Sequence, residues 1–232
     1  MCETCGYTLD GLTDDGNCPE CGQSVRLSRL DDGRTAPAWE RPGNVIWRFA
    51  DTTGSVIVRP SVFYRTLATR QSSHLALAYG RTLWVLSALL LGGALYQHAM
   101  WFGEVAGWAW TRSPGRAFAF LGLATVATYL VLWLTTRLAA LLTAWEAAYR
   151  GYRLPKPVVL RGLYYHAAHY LPVGLIALAT TGGYRFAVQR QWLGYETAST
   201  YLIVLCVEVV VLAGYLFRTY WAGMRNMMYA NR

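Results

Sequence analysis

Four apolar stretches constrain this chain more than anything else in it: Thr82–Phe102, Ala117–Thr136, Gly162–Tyr184 and Ala198–Phe217. Each is nearly free of formal charge and matches the roughly 20 helical residues that cross a hydrocarbon core of about 30 Å. Lipid offers no partner to backbone amides, so a single segment of this kind crosses as a helix. The expected fold is an all-α membrane bundle of four transmembrane helices over 82–217, followed by a tail at 218–232. Arginine or aromatic residues stand near the ends of each stretch, as interfacial anchoring requires. Gly92-Gly93-Ala94, in the middle of the first, lets a neighbouring backbone come close. Apolar character continues past Arg137 through Leu138–Trp145, so the second helix is expected to run on until Pro155-Lys156-Pro157 stops it.

Charge divides the chain and orients it. Only 15% of residues are charged, against about 25% in soluble domains. Residues 1–53 hold nine acids and five arginines, whereas the remainder holds four acids and sixteen Lys and Arg. Seventeen Lys and Arg fall in the N-terminal region to Arg81, the 137–161 connection and the tail. The other two loops carry four: Arg112, Arg116, Arg185 and Arg190. The positive-inside rule then puts both termini in the cytoplasm, in a bacterial-type inner (plasma) membrane.

The first residues carry a second signal, Cys2, Cys5, Cys18 and Cys21 in the spacing C-x2-C-x12-C-x2-C. Cys2 follows Met1 directly, leaving no room for a signal peptide, so the N-terminus is expected in a reducing compartment. Paired knuckles there read as a metal site; a redox dithiol or disulfide pair is the alternative. Four thiolates suit zinc at about 2.3 Å, and so small a module would draw most of its folding from roughly 10–16 kcal/mol of metal binding. Gly6-Tyr7-Thr8-Leu9 is expected to form a short strand, and Asp14-Asp15-Gly16-Asn17 a turn, giving a metal-bound β-ribbon over 1–25.

CETCGY and CPECG together resemble bacterial zinc ribbons and the rubredoxin-like domain of rubrerythrins. The resemblance implies a metal at the four cysteines, zinc or alternatively iron. Rubrerythrins add a di-iron bundle built on E-x-x-H pairs, which this chain lacks, so zinc is the expected ion. The module holds Glu3, Asp10, Asp14, Asp15 and Glu20 with no Lys or Arg before residue 26. Phosphate backbones are held mostly by basic residues, so nucleic acid is not an expected partner and protein docking is.

Residues 26–53 read as a linker with a short amphipathic patch around Trp39 and Val45–Phe49. Residues 54–81 read as an interfacial helix region, with Pro60 in a first helical turn. Phe63, Leu67 and Tyr64 would face the bilayer, and Arg59, Arg65 and Arg70 the anionic headgroups; a helix packed on the ribbon is the alternative. Arg59-Pro60-Ser61-Val62-Phe63-Tyr64-Arg65, leading into a small helical bundle, resembles the Yip family of membrane proteins, whose bacterial relatives can carry a zinc ribbon. That family usually has five spans, and four are found here.

Catalytic motifs are absent: no G-x-S-x-G, H-E-x-x-H, phosphate loop or Rossmann glycine pattern occurs. His166 and His169, among Tyr164, Tyr165 and Tyr170, read as an interfacial belt or a ligand pair, and Cys206 as a small buried hydrophobe. Glu208 lies near the middle of the fourth stretch, where a charge costs about 2.5–3.5 kcal/mol on insertion scales. It should face the bundle, with Thr125, Thr128 and His169 as candidate partners. The expected function is a non-enzymatic scaffold, adaptor or accessory subunit working with other membrane proteins. A small transporter or channel using Glu208, and a redox subunit with rubredoxin-like iron, are the alternatives.

Overall fold

In a computed structural model the chain is helical, with no strand among the described residues, which are 2, 4–29, 34–68, 73–108, 111, 113–151, 154 and 156–227. Three short helices come first: α1 (Val25–Arg29), α2 (Val45–Val58) and α3 (Pro60–Thr66). Then follow α4 (His74–Val105), α5 (Pro114–Tyr149), α6 (Lys156–His166), α7 (Tyr170–Gln189) and α8 (Ala198–Met227). Four segments, with α6 and α7 counted as one, are long and apolar enough to cross a membrane. The chain divides into two compact units, one of 1–81, 136–168 and 218–232, the other of 82–135 and 169–217.

The helices outrun the apolar stretches that nucleate them. α4 begins at His74 rather than Thr82, and α8 continues past Phe217 to Met227. α5 extends to Tyr149, where the chain turns at Gly151 in the left-handed region (φ 75°). Glycine alone enters that region without cost, so the turn precedes the prolines expected to make it; Pro155 itself lies outside the described residues.

The third apolar stretch is not one regular helix. A 3-10 turn at Ala167–His169 separates α6 from α7. Pro172 supplies the reason, since it has no amide to donate to the carbonyl of Ala168 and its ring crowds that carbonyl. α6 is then buried within its unit along Arg161, Gly162, Leu163, Tyr164, Tyr165 and His166. Of the residues read as an interfacial belt, Tyr164, Tyr165, His166 and His169 are buried and Tyr170 is half-buried.

In the first unit, residues 34–68 of the segment read as linker and interfacial region are folded. Asn44 caps α2, its side chain accepting from the amides of Ile46 (2.9 Å) and Trp47 (3.2 Å). α2 runs through the expected boundary at residues 53 and 54. Thr35 pairs with the end of α3: its amide donates to the Thr66 carbonyl (2.7 Å), and its carbonyl accepts from Ala68 (3.1 Å). Arg34, 6% exposed, donates to the carbonyls of Tyr64, Leu67 and Asn226. The last turn of a helix leaves carbonyls beyond the reach of its own ladder of amide donors.

Phe63, Tyr64 and Leu67 are buried inside this unit rather than turned outward. Phe63 meets Tyr165 with ring centroids 5.3 Å apart, and Tyr79 continues the chain of rings from Tyr165 (5.2 Å) to Phe49 (5.5 Å) and Trp39 (5.7 Å). Gly223 leaves room for the Tyr64 ring, since a Cβ there would stand 3.0 Å from it. Arg59 and Arg65 are exposed; Arg70 lies outside the described residues.

In the second unit, the close approach expected at Gly92 is present. A Cβ at Gly92 would lie 2.8 Å from the Cα of Thr125 and 2.7 Å from its Oγ1. Outward positions of α5 and α8, such as Leu123, Val126, Ile203 and Val210, are more than half exposed, as suits a surface that lipid covers. Cys206, expected to be buried, is exposed on α8.

Candidate metal centre

The two cysteine knuckles repeat one hydrogen-bonding pattern. In the first, Cys2 donates its amide to the Tyr7 carbonyl (2.8 Å) and accepts from Gly6 (2.9 Å). In the second, Cys18 donates to Gln23 (2.7 Å) and accepts from Gly22 (2.9 Å). Gly6 and Gly22 close these turns with φ of 81° and 73°. Nothing would touch a Cβ at Gly22, so conformation rather than space calls for glycine there.

This geometry gathers the thiols. All four sulfurs lie within 4.8 Å of one another. Cys2 and Cys21 are 3.5 Å apart at Sγ, and Cys5 and Cys18 are 3.6 Å apart. Four sulfurs at about 2.3 Å from one tetrahedral ion stand about 3.8 Å from each other, so the set fits a metal ion. It does not fit a disulfide, whose sulfurs are about 2 Å apart.

Burial pushes the Cys2 thiol up, but hydrogen bonds from the backbone of Cys5 and Thr4 and from neighbouring thiols outweigh it and hold it at about 6. Burial and the same neighbours push Cys5 up to about 12. Neighbouring thiolates repel one another, which separates the first ionisation from the second; a cation among them would remove that repulsion.

Around the thiols the apolar filling is slight. Leu9 and Val25 are buried with Cys2 and Cys18, and Leu12 packs against them. The expected strand at Gly6–Leu9 does not form: among the described residues of the tip, a single bridge pairs Asn17 with Ser24. The backbone amides and carbonyls of the knuckles are used in turns, which leaves no ladder to extend.

α1 lay beyond the reach of the spacing argument. Ser28, 3% exposed, directs its hydroxyl at the Cys2 sulfur (3.9 Å). Arg29 pairs with Asp14 (2.6 Å) and donates to the Leu9 carbonyl (2.6 Å). The folded module thus includes α1, with the Ser28 hydroxyl three residues past the expected boundary at 25.

The expected intramembrane group is engaged otherwise. His169 Nδ1 bonds the Tyr215 hydroxyl (2.7 Å), Thr128 donates to the Ala124 carbonyl (2.8 Å), and Thr125 packs on Gly92. Glu208 is half-buried in α8 and makes no hydrogen bond among the described residues. His166 faces the Tyr220 ring (6.3 Å).

A buried ion pair escaped the sequence altogether. Glu40 and Arg161 meet at 2.6 Å with side chains 3% and 1% exposed. Tyr165 donates its hydroxyl to the other carboxylate oxygen of Glu40, and Arg161 Nε donates to the Ala68 carbonyl (2.7 Å). In the second unit, Arg185 joins Glu104 (2.5 Å) and Gln97 (2.8 Å), and His98 Nδ1 bonds Tyr201 (2.9 Å).

Compared with protein-family models, curated proteins and solved structures, the chain matches none.

Proposed function

We propose that this chain is a non-enzymatic multi-pass membrane protein acting as a scaffold, adaptor or accessory subunit, with a zinc-loaded tip as its docking module. The observation that carries the reading is the ligand set: four thiols, complete in number, within 4.8 Å of one another. A catalytic zinc site keeps one position open, whereas four thiolates fill a tetrahedral ion. Bound by Cys2, Cys5, Cys18 and Cys21, the ion would supply structure, closing the two knuckles over a filling of Leu9, Leu12 and Val25. The acidic tip then suits a partner protein with a basic face, in keeping with the zinc-ribbon and Yip-like resemblances. The Lys and Arg count supports cytoplasmic termini in a bacterial-type inner membrane.

The test is purification of wild type and Cys18→Ser from native membrane in mild detergent. Expected are a colourless wild type with one zinc per chain and a protein partner at fixed stoichiometry. Cys18→Ser should lose metal and partner while remaining in the membrane. A monomeric preparation without partner overturns the subunit reading. A coloured, iron-containing sample gives the redox alternative instead, and pH-dependent flux that Glu208→Gln abolishes gives the transporter.

A further inference from the structure

The first unit contains an open cavity of about 960 Å³ beside the cysteine knuckles. Arg34, Arg65, Arg218 and Arg225 line it, and no carboxylate does among the described residues. Arg34 is held by the carbonyls of Tyr64, Leu67 and Asn226, so one guanidinium is fixed in the wall. Arg65, Arg218 and Arg225 are exposed and meet no carboxylate among the described residues. Like charges around one cavity repel, and an anion placed among them removes that cost. Guanidinium forks match phosphate oxygens better than any other cationic side chain does.

The place in the chain narrows the ligand. Arg218 follows directly on the apolar stretch that ends at Phe217, and Trp221, one turn on, is 54% exposed and also lines the cavity. Arginine and tryptophan at the end of a spanning stretch stand where headgroups stand. Arg218 and Arg225 lie on one side of α8, two turns or about 10.5 Å apart, which suits an extended or multiply charged anion. Arg59 lines a different, smaller cleft with Arg41 and Asp51, where a carboxylate offsets the charge.

We propose that this cavity binds a phosphate-bearing anion, either an anionic phospholipid headgroup or a soluble phosphorylated molecule. This does not depend on the subunit role. The knuckles bear on it, because Thr4 and Cys5 form part of the wall.

The test uses the full chain, metal-loaded, in neutral detergent. The probes are short-chain phosphatidylglycerol, short-chain phosphatidylcholine and inorganic pyrophosphate, read as the shift in unfolding midpoint and as Kd. Phosphatidylglycerol binding without pyrophosphate binding identifies the headgroup as the source; pyrophosphate binding without lipid identifies a soluble anion. In either case Arg218→Gln and Arg225→Gln should each weaken binding about tenfold, while Arg150→Gln, whose arginine pairs with Glu146 outside the cavity, changes it less than twofold. The proposal is overturned if only phosphatidylcholine binds, if no probe binds, or if both cavity variants bind within twofold of wild type.

Discussion

Glu40→Ala tests whether the segment before the first span is part of the folded body. The Glu40 carboxylate accepts from Arg161 and from Tyr165, with both members of the ion pair almost wholly buried. Removing it leaves a buried guanidinium without its counter-charge, which costs about 3–5 kcal/mol, and strands a buried hydroxyl for about 1–3 kcal/mol. These share one desolvated pocket and do not add in full, so about 4 kcal/mol is the expected loss. At about 2–4 °C per kcal/mol for a chain of this size, the midpoint should fall by roughly 8–16 °C. Glu40→Gln keeps one acceptor and should lose about half as much.

The discriminating measurement is a double-mutant cycle with Arg161→Met, followed by thermal unfolding in detergent. Once the guanidinium is gone, the empty carboxylate position matters less, so Glu40→Ala/Arg161→Met should be more stable than the sum of the single losses by at least about 1 kcal/mol. Limited proteolysis should cut Glu40→Ala within 34–68, where wild type resists. Additive losses, or a Glu40→Ala midpoint within about 2 °C of wild type, would refute the reasoning.

Cys18→Ser should lower metal content from one ion per chain to none and open the tip to protease up to Arg29, with the spans intact; a tip as resistant as wild type would sink the four-thiol site. Gly92→Ala should cost about 1–3 kcal/mol, because its Cβ meets Thr125 backbone at 2.8 Å, and overpacking against backbone cannot relax cheaply. Gly93→Ala should be near neutral, since its nearest neighbour is the movable end of Leu178 at 3.4 Å; the order is read from unfolding midpoints. Glu208→Gln should leave the midpoint within about 2 °C, and a larger fall would reveal a hydrogen-bonded role for the carboxylate.

What could be read from sequence was what repeats or recurs locally. Hydropathy finds Ala117–Thr136 because a bilayer imposes length and polarity on consecutive residues. The knuckles are legible because Cys-x-x-Cys-Gly fixes a turn within five residues. Glu40 and Arg161 are 121 positions apart, and Arg34 and Asn226 are 192 apart; no local pattern links such residues. A lone glutamate in a tryptophan- and proline-bearing stretch reads as solvated unless its counter-ion is known. Residues 34–68 therefore read as linker and membrane-surface helix, although Phe63, Tyr64 and Leu67 are buried within their own unit, Phe63 against the Tyr165 ring.

Pro172 shows how one residue redirects a whole stretch. Averaged hydropathy over Gly162–Tyr184 gives a single span, because proline lowers the mean only slightly. Its missing amide nevertheless breaks the ladder at Ala168, and the 3-10 turn at Ala167–His169 takes up the change. Upstream of that break, Arg161 can be buried against Glu40 and Tyr165 can donate to the same carboxylate. Downstream, α7 carries the apolar surface that lipid can cover, with Leu175 57% exposed. Had the helix continued regularly from Lys156, Arg161 would need its partner at whatever depth the span imposed. The break instead leaves α6 as a core element of the first unit, where a charge with a fixed counter-ion is tolerable and Tyr165, which donates to the same carboxylate, joins the rings of Phe63 and Tyr79.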